Sequence, residues 1–393
     1  MTPDLLPRPR AGAGPRPPRI LVIARGHLGD LVGALPALRD LRAGHPDARI
    51  TVAVNEYVRG ALEGCPYVDG VLHPFTYGRR GRLGRASRRA AFLAAAAGGF
   101  DITIGLRFCP PGALLAGWAS RSRTRIGYHQ QGWAARLLTD DLGPEPRSGS
   151  NRVANLAALK LLGIPCSPRY PELSWVERPA RAELDRVLGE AGIAPGDGLA
   201  TLQTASHWGC NEWRGDKWAA LADHLSERWG LRVLVSGTGE TFEAEKLAEI
   251  GRLSRHPIVP LLGRTTIPML FDLVARSRLV VAADSAMTQV ALAQRTPSVI
   301  LFGIEAVDPN GPLPEEVREG LTIPLQHWPG GALAPAPNPH CRFREGACHS
   351  SSCRENSSLA QITPEEACEA ADRLLERASA APQEGAAPGA LSR

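Results

Sequence analysis

The chain is short of several things, and each shortage removes a class of protein. No apolar run approaches the ~20 residues a helix needs to cross a bilayer. The opening stretch MTPDLLPRPRAGAGPRPPR has arginines and prolines but no apolar centre, so it does not read as a secretory signal. Residues 1–18 read instead as a disordered leader, and residues 380–393 as a disordered tail. Aromatic residues are sparse, at 5%. A net charge of +5 is mild for 393 residues, and no nucleic-acid partner is expected. The eight cysteines lack a C-x-x-C pair. HCRFREGACHSSSC brings Cys341, Cys348 and Cys353 together with His340 and His349, but not at zinc spacing, so no metal is expected. Cys65, Cys109, Cys166, Cys210 and Cys368 read as scattered buried thiols, reduced in a cytoplasmic protein.

What is present is the composition of a soluble protein with a substantial core, 44% apolar and 22% charged. The length suits two domains. Strand-like runs alternate with helix-like ones, which argues for α/β architecture with parallel sheets. In the first half the strands are ILVIA (20–24), ARITVAVN (48–55), VDGVLHPF (68–75), FDITIGLR (100–107) and RTRIGYH (123–129), and a helix over 154–163 has Gly163 as its C-cap. A proline-rich stretch follows and reads as a linker. In the second half come GLATLQTAS (198–206), LRVLVSGT (231–238), RLVVAAD (278–284) and TPSVILFG (296–303), with helices between them and one more over 364–378. Ligands in such sheets bind beyond the carboxyl ends of the strands. The loops after Ala24 and Ala283 are therefore the candidates.

The second of these loops runs Asp284, Ser285, Ala286, Met287, Thr288 into a helix. A helix start with its unpaired N–H groups suits a pyrophosphate, and Ser285 and Thr288 offer hydroxyls; either could equally be a plain N-cap. In the first loop, ARGHLGDLVGALPAL, Gly26 and Gly29 allow a sharp turn, and Asp30 stands near the helix start. Asp30 is either a cap or a general base taking a proton from an attacking hydroxyl or amine. GRRGRLGRASRR, residues 78–89, carries six arginines and no acid, and is either a solvated surface or one that meets phosphates.

RGHLGDLVGALPALRDLRAGHPDARITVAVNE resembles the opening of the family 9 glycosyltransferases, the ADP-heptose:lipopolysaccharide heptosyltransferases among them. AADSAMTQVALAQRTPSVILFG resembles their donor segment, and EWRGDKWAALADHL their two-tryptophan helix. The resemblance runs from about residue 20 to residue 378. It implies an α/β GT-B fold, two Rossmann-like doubly wound domains facing across a cleft. The acceptor domain would be 19–170, the linker 171–196 and the nucleotide-sugar domain 197–340. A cysteine-bearing segment and closing helix would fill 341–379, with the final helix packed back on the first domain. The resemblance also makes Asp30 the catalytic base, with Arg25, Gly26, His27 and Gly29 forming the acceptor-side loop. Asp284, Ser285, Ala286, Met287, Thr288, Gln289 and Ser206 fall on the donor side, and Gly237, Thr238 and Glu240 near the nucleoside. Three departures stand out. Ala286 replaces a glycine, Gln289 a histidine, and Asn211 and Glu212 occupy the place of a phosphate-binding lysine. Arg264, Lys217 and the helix start are then the candidates for the leaving-group charge. Trp208, Trp213 and Trp218 read as core and cleft wall.

These features lead to the expectation of an inverting, metal-independent glycosyltransferase without cofactor. Its donor would be a nucleoside-diphosphate sugar, ADP-heptose by the resemblance. The acceptor is a lipid-linked or lipopolysaccharide-type core saccharide, or a small molecule of specialised metabolism; the Ala, Arg, Gly and Pro excess tilts towards the latter. The expected place is the cytoplasm, with peripheral contact at the inner face of the plasma membrane left open. The alternative is a nucleotide-sugar-binding protein of the same fold without transfer.

Overall fold

The structure is a computed structural model that describes residues 16–75, 90, 92–107, 109, 111–129, 132–146, 150–205, 212–283, 285–302, 314–325 and 358–380. Two six-stranded parallel sheets organise it. In the first, β1 (Arg19–Ile23), β2 (Arg49–Asn55), β3 (Gly70–Phe75), β4 (Ile102–Gly105), β5 (Thr124–His129) and β6 (Asp140–Pro144) lie in the order β3-β2-β1-β4-β5-β6. In the second, β7 (Leu199–Gln203), β8 (Arg232–Val235), β9 (Ile258–Pro260), β10 (Ser277–Ala283), β11 (Ser298–Leu301) and β12 (Thr322–Leu325) lie in the order β12-β11-β10-β7-β8-β9. Both are doubly wound, so the strand order reverses between β1 and β4 in one sheet and between β7 and β10 in the other. Ligand crevices open at such reversals. The central strands read RILVI and SRLVVAA because both their faces are covered by helices and leave no room for an alternating polar face.

Helix α1 (Leu28–Gly44) follows β1, α2 (Pro111–Ala119) follows β4, and α3 (Asn151–Leu161) closes the first domain. Gly163 takes φ +71°, the left-handed turn expected just past that helix. The stretch read as a linker is in large part helical. Helix α4 (Ser174–Glu190) lays Val176, Ala180, Leu184, Val187 and Leu188 at helical spacing. Of these, Ala180, Leu184, Val187 and Leu188 share an apolar cluster with Met269 and Leu273, so α4 is part of the second domain. That domain continues with α5 (Gly215–Trp229), α6 (Thr241–Leu253), α7 (Ile267–Arg276) and α8 (Ala286–Ala293), and ends with α9 (Pro364–Ala380).

Helix α9 corrects one expectation, for it packs on the second domain and not the first. Ala367, Ala370, Ala371, Leu374 and Leu375 form one stripe, buried in a cluster with Trp213, Trp218, Leu221 and Leu225. The two tryptophans meet edge to face at 5.0 Å, and both are core residues, as read from the sequence. Further ties come from Trp229 Nε1 donating to Asp372 at 2.6 Å and Trp213 Nε1 to the Ile362 carbonyl at 2.9 Å. The helix goes where aromatic area is available to cover its stripe.

The domains meet along α1 and α8. One apolar cluster joins Leu31, Leu35 and Leu38 of the first domain to Met287, Val290 and Phe271 of the second. Polar ties reinforce it. Arg152 forms a paired-fork contact with Glu316 at 2.7 Å on both arms and lies 4.5 Å from the Tyr170 ring. Tyr170 in turn donates to Gln289 Oε1 at 2.6 Å.

Candidate active site

The first loop works because Gly26 has no side chain. A Cβ there would lie 2.5 Å from the Asp30 Cβ and 2.6 Å from its Oδ2. With hydrogen in that place, the Asp30 side chain folds back and Oδ2 accepts the His27 backbone N–H at 2.7 Å. His27 is the N-cap of α1, and its Nδ1 shares a hydrogen bond of 2.7 Å with the Tyr57 hydroxyl. Asp30 is therefore a cap, and the cap leaves it on the wall of a pocket. That pocket sits at the strand-order reversal, between the ends of β1 and β4, with Arg25, Asp30, Arg107, Asn151 and Asn155 among its walls. Burial pushes the Asp30 carboxyl above its ordinary range, opposed by the His27 amide, the His27 ring and the Arg107 charge, and assisted by Glu145. A partly desolvated carboxyl with a raised proton affinity suits a general base.

Arg107 and its surroundings were missed from the sequence. Its Nη1 donates to Asn151 Oδ1, its Nη2 to the Pro146 carbonyl at 2.6 Å, and its backbone N–H to Asn155 Oδ1 at 3.0 Å. Glu145 Oε1 lies 3.5 Å from its Nε. The signal was available, because FDITIGLR ends a strand on Arg107 just as ILVIA ends one before Arg25.

The second loop presents the start of α8. Ser285 is its N-cap, and the first turn holds no acid. Ser285 Oγ is buried and makes no hydrogen bond among the described residues. Thr288 is spent locally, donating to the Ala283 carbonyl at 3.1 Å. Met287 is buried in the interdomain cluster, and Gln289 is engaged with Tyr170. The two junctions meet directly, since a Cβ on Gly29 would come to 3.4 Å from both the Ala286 Cα and the Gln289 Cγ. Ala286 carries a side chain at this turn, and the facing loop has none at Gly29.

Gly237, Thr238 and Glu240, which the sequence assigned to the nucleoside, form the turn after β8. Thr238 and Glu240 are exposed. The residue that shapes the turn is one that was missed, Glu243. Its Oε2 accepts Thr238 Oγ1 at 2.8 Å, the Gly239 N–H at 2.6 Å and the Glu240 N–H at 3.1 Å. Two charge candidates are occupied elsewhere. Lys217 Nζ donates to the Ile362 carbonyl at 2.8 Å, and burial lowers its proton affinity. Arg264 pairs with Glu190 at 2.7 Å, although its neighbour Gly263 donates its N–H to the Gly237 carbonyl at 3.0 Å and so lies against the turn after β8. Asp284, Ser206, Trp208, Asn211, residues 78–89 and the segment with Cys341, Cys348 and Cys353 lie outside the described residues. Among the described residues no cluster of three His, Cys, Asp or Glu could hold a metal ion, and no helix is long and apolar enough to cross a membrane.

Residues 111–325 match the family described as Glycosyltransferase family 9 (heptosyltransferase). The chain is 26% identical over 290 residues to lipopolysaccharide heptosyltransferase 3 of Escherichia coli strain K12, covering 70% of this chain and 79% of that protein. Its fold is similar to a family 9 glycosyl transferase from Veillonella parvula DSM 2008 (TM-score 0.75, 20% identity, 92% of this chain and 98% of the other). It is also similar to the E. coli heptosyltransferase WaaC solved with ADP-2-deoxy-2-fluoro heptose (TM-score 0.59, 16% identity, 81% and 95%). These likenesses establish the GT-B architecture.

Proposed function

The chain belongs to glycosyltransferase family 9, and from that premise we propose that it transfers heptose from ADP-heptose to an acceptor hydroxyl or amine with inversion. The observation that carries this reading is the abutment of the two junctions, with Gly29 against Ala286. It brings the loop that carries Asp30 against a helix start from the other domain. Asp30 takes the proton of the acceptor nucleophile. The nucleophile forms its bond to the anomeric carbon of the donor as the bond from that carbon to the diphosphate oxygen breaks, and ADP leaves from the opposite face. The unpaired N–H groups of α8 and the Ser285 hydroxyl receive the negative charge that develops on the diphosphate. Those groups replace both the lysine absent before the tryptophan helix and a metal ion.

The donor is favoured by the name of the E. coli relative and by the donor analogue in the WaaC structure. The acceptor is a lipopolysaccharide-type core saccharide or a small molecule. The test is a panel of ADP-, UDP- and GDP-sugars screened for thermal stabilisation, followed by mass spectrometry for ADP release with saccharide and amine acceptors. ADP-heptose should stabilise the protein and be consumed. Stabilisation by a UDP-sugar alone would overturn the donor assignment. Tight binding without turnover would make the chain a nucleotide-sugar-binding protein.

A further inference from the structure

Arg107 stands on the wall of the Asp30 pocket, held by several protein groups. Two amides from successive turns of α3, Asn151 and Asn155, and the Pro146 carbonyl hold it at the end of β4. It is buried, and the pocket it lines is the one that Asp30 lines. With both guanidinium ends engaged, it acts across the pocket through its field. The other charges facing Asp30 are few. Arg25 and His27 belong to the same loop, and Glu145 lies beyond the end of β6. Helix α3 presents the amides of Asn151 and Asn155, its Arg152 beside α1 is paired with Glu316, and the first turn of α8 holds no acid.

We propose that Arg107 is a positioning residue for the proton acceptor, a fixed charge clamped at the pocket wall that keeps Asp30 in its carboxylate form. Glu145, 3.5 Å from Arg107, tempers that charge. The pair sets the pH at which the base becomes competent. The direction of each influence on Asp30 agrees, with Arg107 lowering its proton affinity and Glu145 raising it. The inference rests on Asp30 being the base.

The test is a carbon-13 NMR titration of protein labelled at the aspartate carboxyl carbon, with the Asp30 signal identified by its loss in Asp30→Asn. Arg107→Gln should move the Asp30 midpoint upward, Arg107→Lys should return it most of the way, and Glu145→Gln should move it downward. The acid limb of ADP-heptose turnover should shift in the same sense. An unmoved Asp30 midpoint in a folded Arg107→Gln protein, or no recovery with lysine, overturns the role. If Arg107→Gln does not fold, Glu145→Gln decides, and an unchanged or raised midpoint counts against the proposal. The titration needs neither acceptor nor turnover. Unchanged turnover in Asp30→Asn would instead defeat the assignment of the base.

Discussion

Strands β1 and β10 each flank the strand-order reversal of their sheet, and each hands over to a helix whose first turn meets that of the other domain. Residues 24–27 make the first handover and residues 284–285 the second. The chemistry differs because the helix starts are satisfied differently. In α1 the carboxylate of Asp30 already answers the His27 N–H. In α8 the first turn has no acid, and the buried Ser285 Oγ makes no hydrogen bond among the described residues. On the proposed function the first helix start presents the base and the second receives the diphosphate, so that one backbone device would serve both halves of a displacement.

Breaking the first half should have the largest effect. Asp30→Ala should lower turnover of ADP-heptose by about 10²–10⁴-fold, the usual contribution of a general base, while ADP affinity by calorimetry stays within about twofold of wild type. Making the second junction resemble the first comes next. Ser285→Asp should cost several kcal/mol of ADP affinity, roughly the penalty for opposed like charges. Ser285→Ala should cost about 1–3 kcal/mol, the loss of one hydrogen bond to a charged group. Equal ADP affinity in all three forms would remove Ser285 from the donor site. The abutment itself is probed at Gly29. The alanine variant places its methyl at 3.4 Å from α8 and should keep most of its turnover. Gly29→Val has to push the domains apart, and a displacement of about 1 Å corresponds to roughly 10²-fold in rate. Valine as active as alanine would show that the junctions need not meet.

The smallest effect is on stability. Burial raises the Asp30 carboxyl above its ordinary 3.8, so in the folded protein the ionised form is the disfavoured one. Its penalty is absent below pH 3.8, grows as pH rises from there to the raised midpoint, and is complete above it. Asp30→Asn should therefore melt above wild type at pH 7 and converge with it at acid pH. A variant that melts lower at pH 7 would mean that the cap to His27 outweighs the burial penalty.

Much of this was legible in the sequence, and the exceptions share a cause. The central strands announce themselves because burial on both faces demands aliphatic runs such as RILVI. Edge strands β6 (DDLGP), β9 (IVP) and β12 (TIPL) are too short or too polar to show such a run and were not read. The same strand-end logic pointed to Asp30 and Ser285 and stopped short of Arg107, whose setting depends on the distant residues Asn151 and Asn155 of α3. Glu240 drew attention at the turn after β8, while the organising carboxylate is Glu243, one helical turn inside α6. The lodging of Lys217 and α9 was hidden for a similar reason. Periodicity shows that a helix has an apolar stripe, but only the tertiary structure shows which surface covers it.

The placement of α9 also bears on synthesis. The second sheet is complete in sequence at Leu325, yet the helix that covers Trp213 and Trp218 ends at Ala380, 55 residues later. At 5–20 residues per second, about 3–11 s pass between the two. Throughout that interval the second domain lacks the helix that covers Trp213 and Trp218, while the first domain already has its whole sequence. The chain thus matures in two instalments, and the wait before the second is when chaperones have most to gain by holding it.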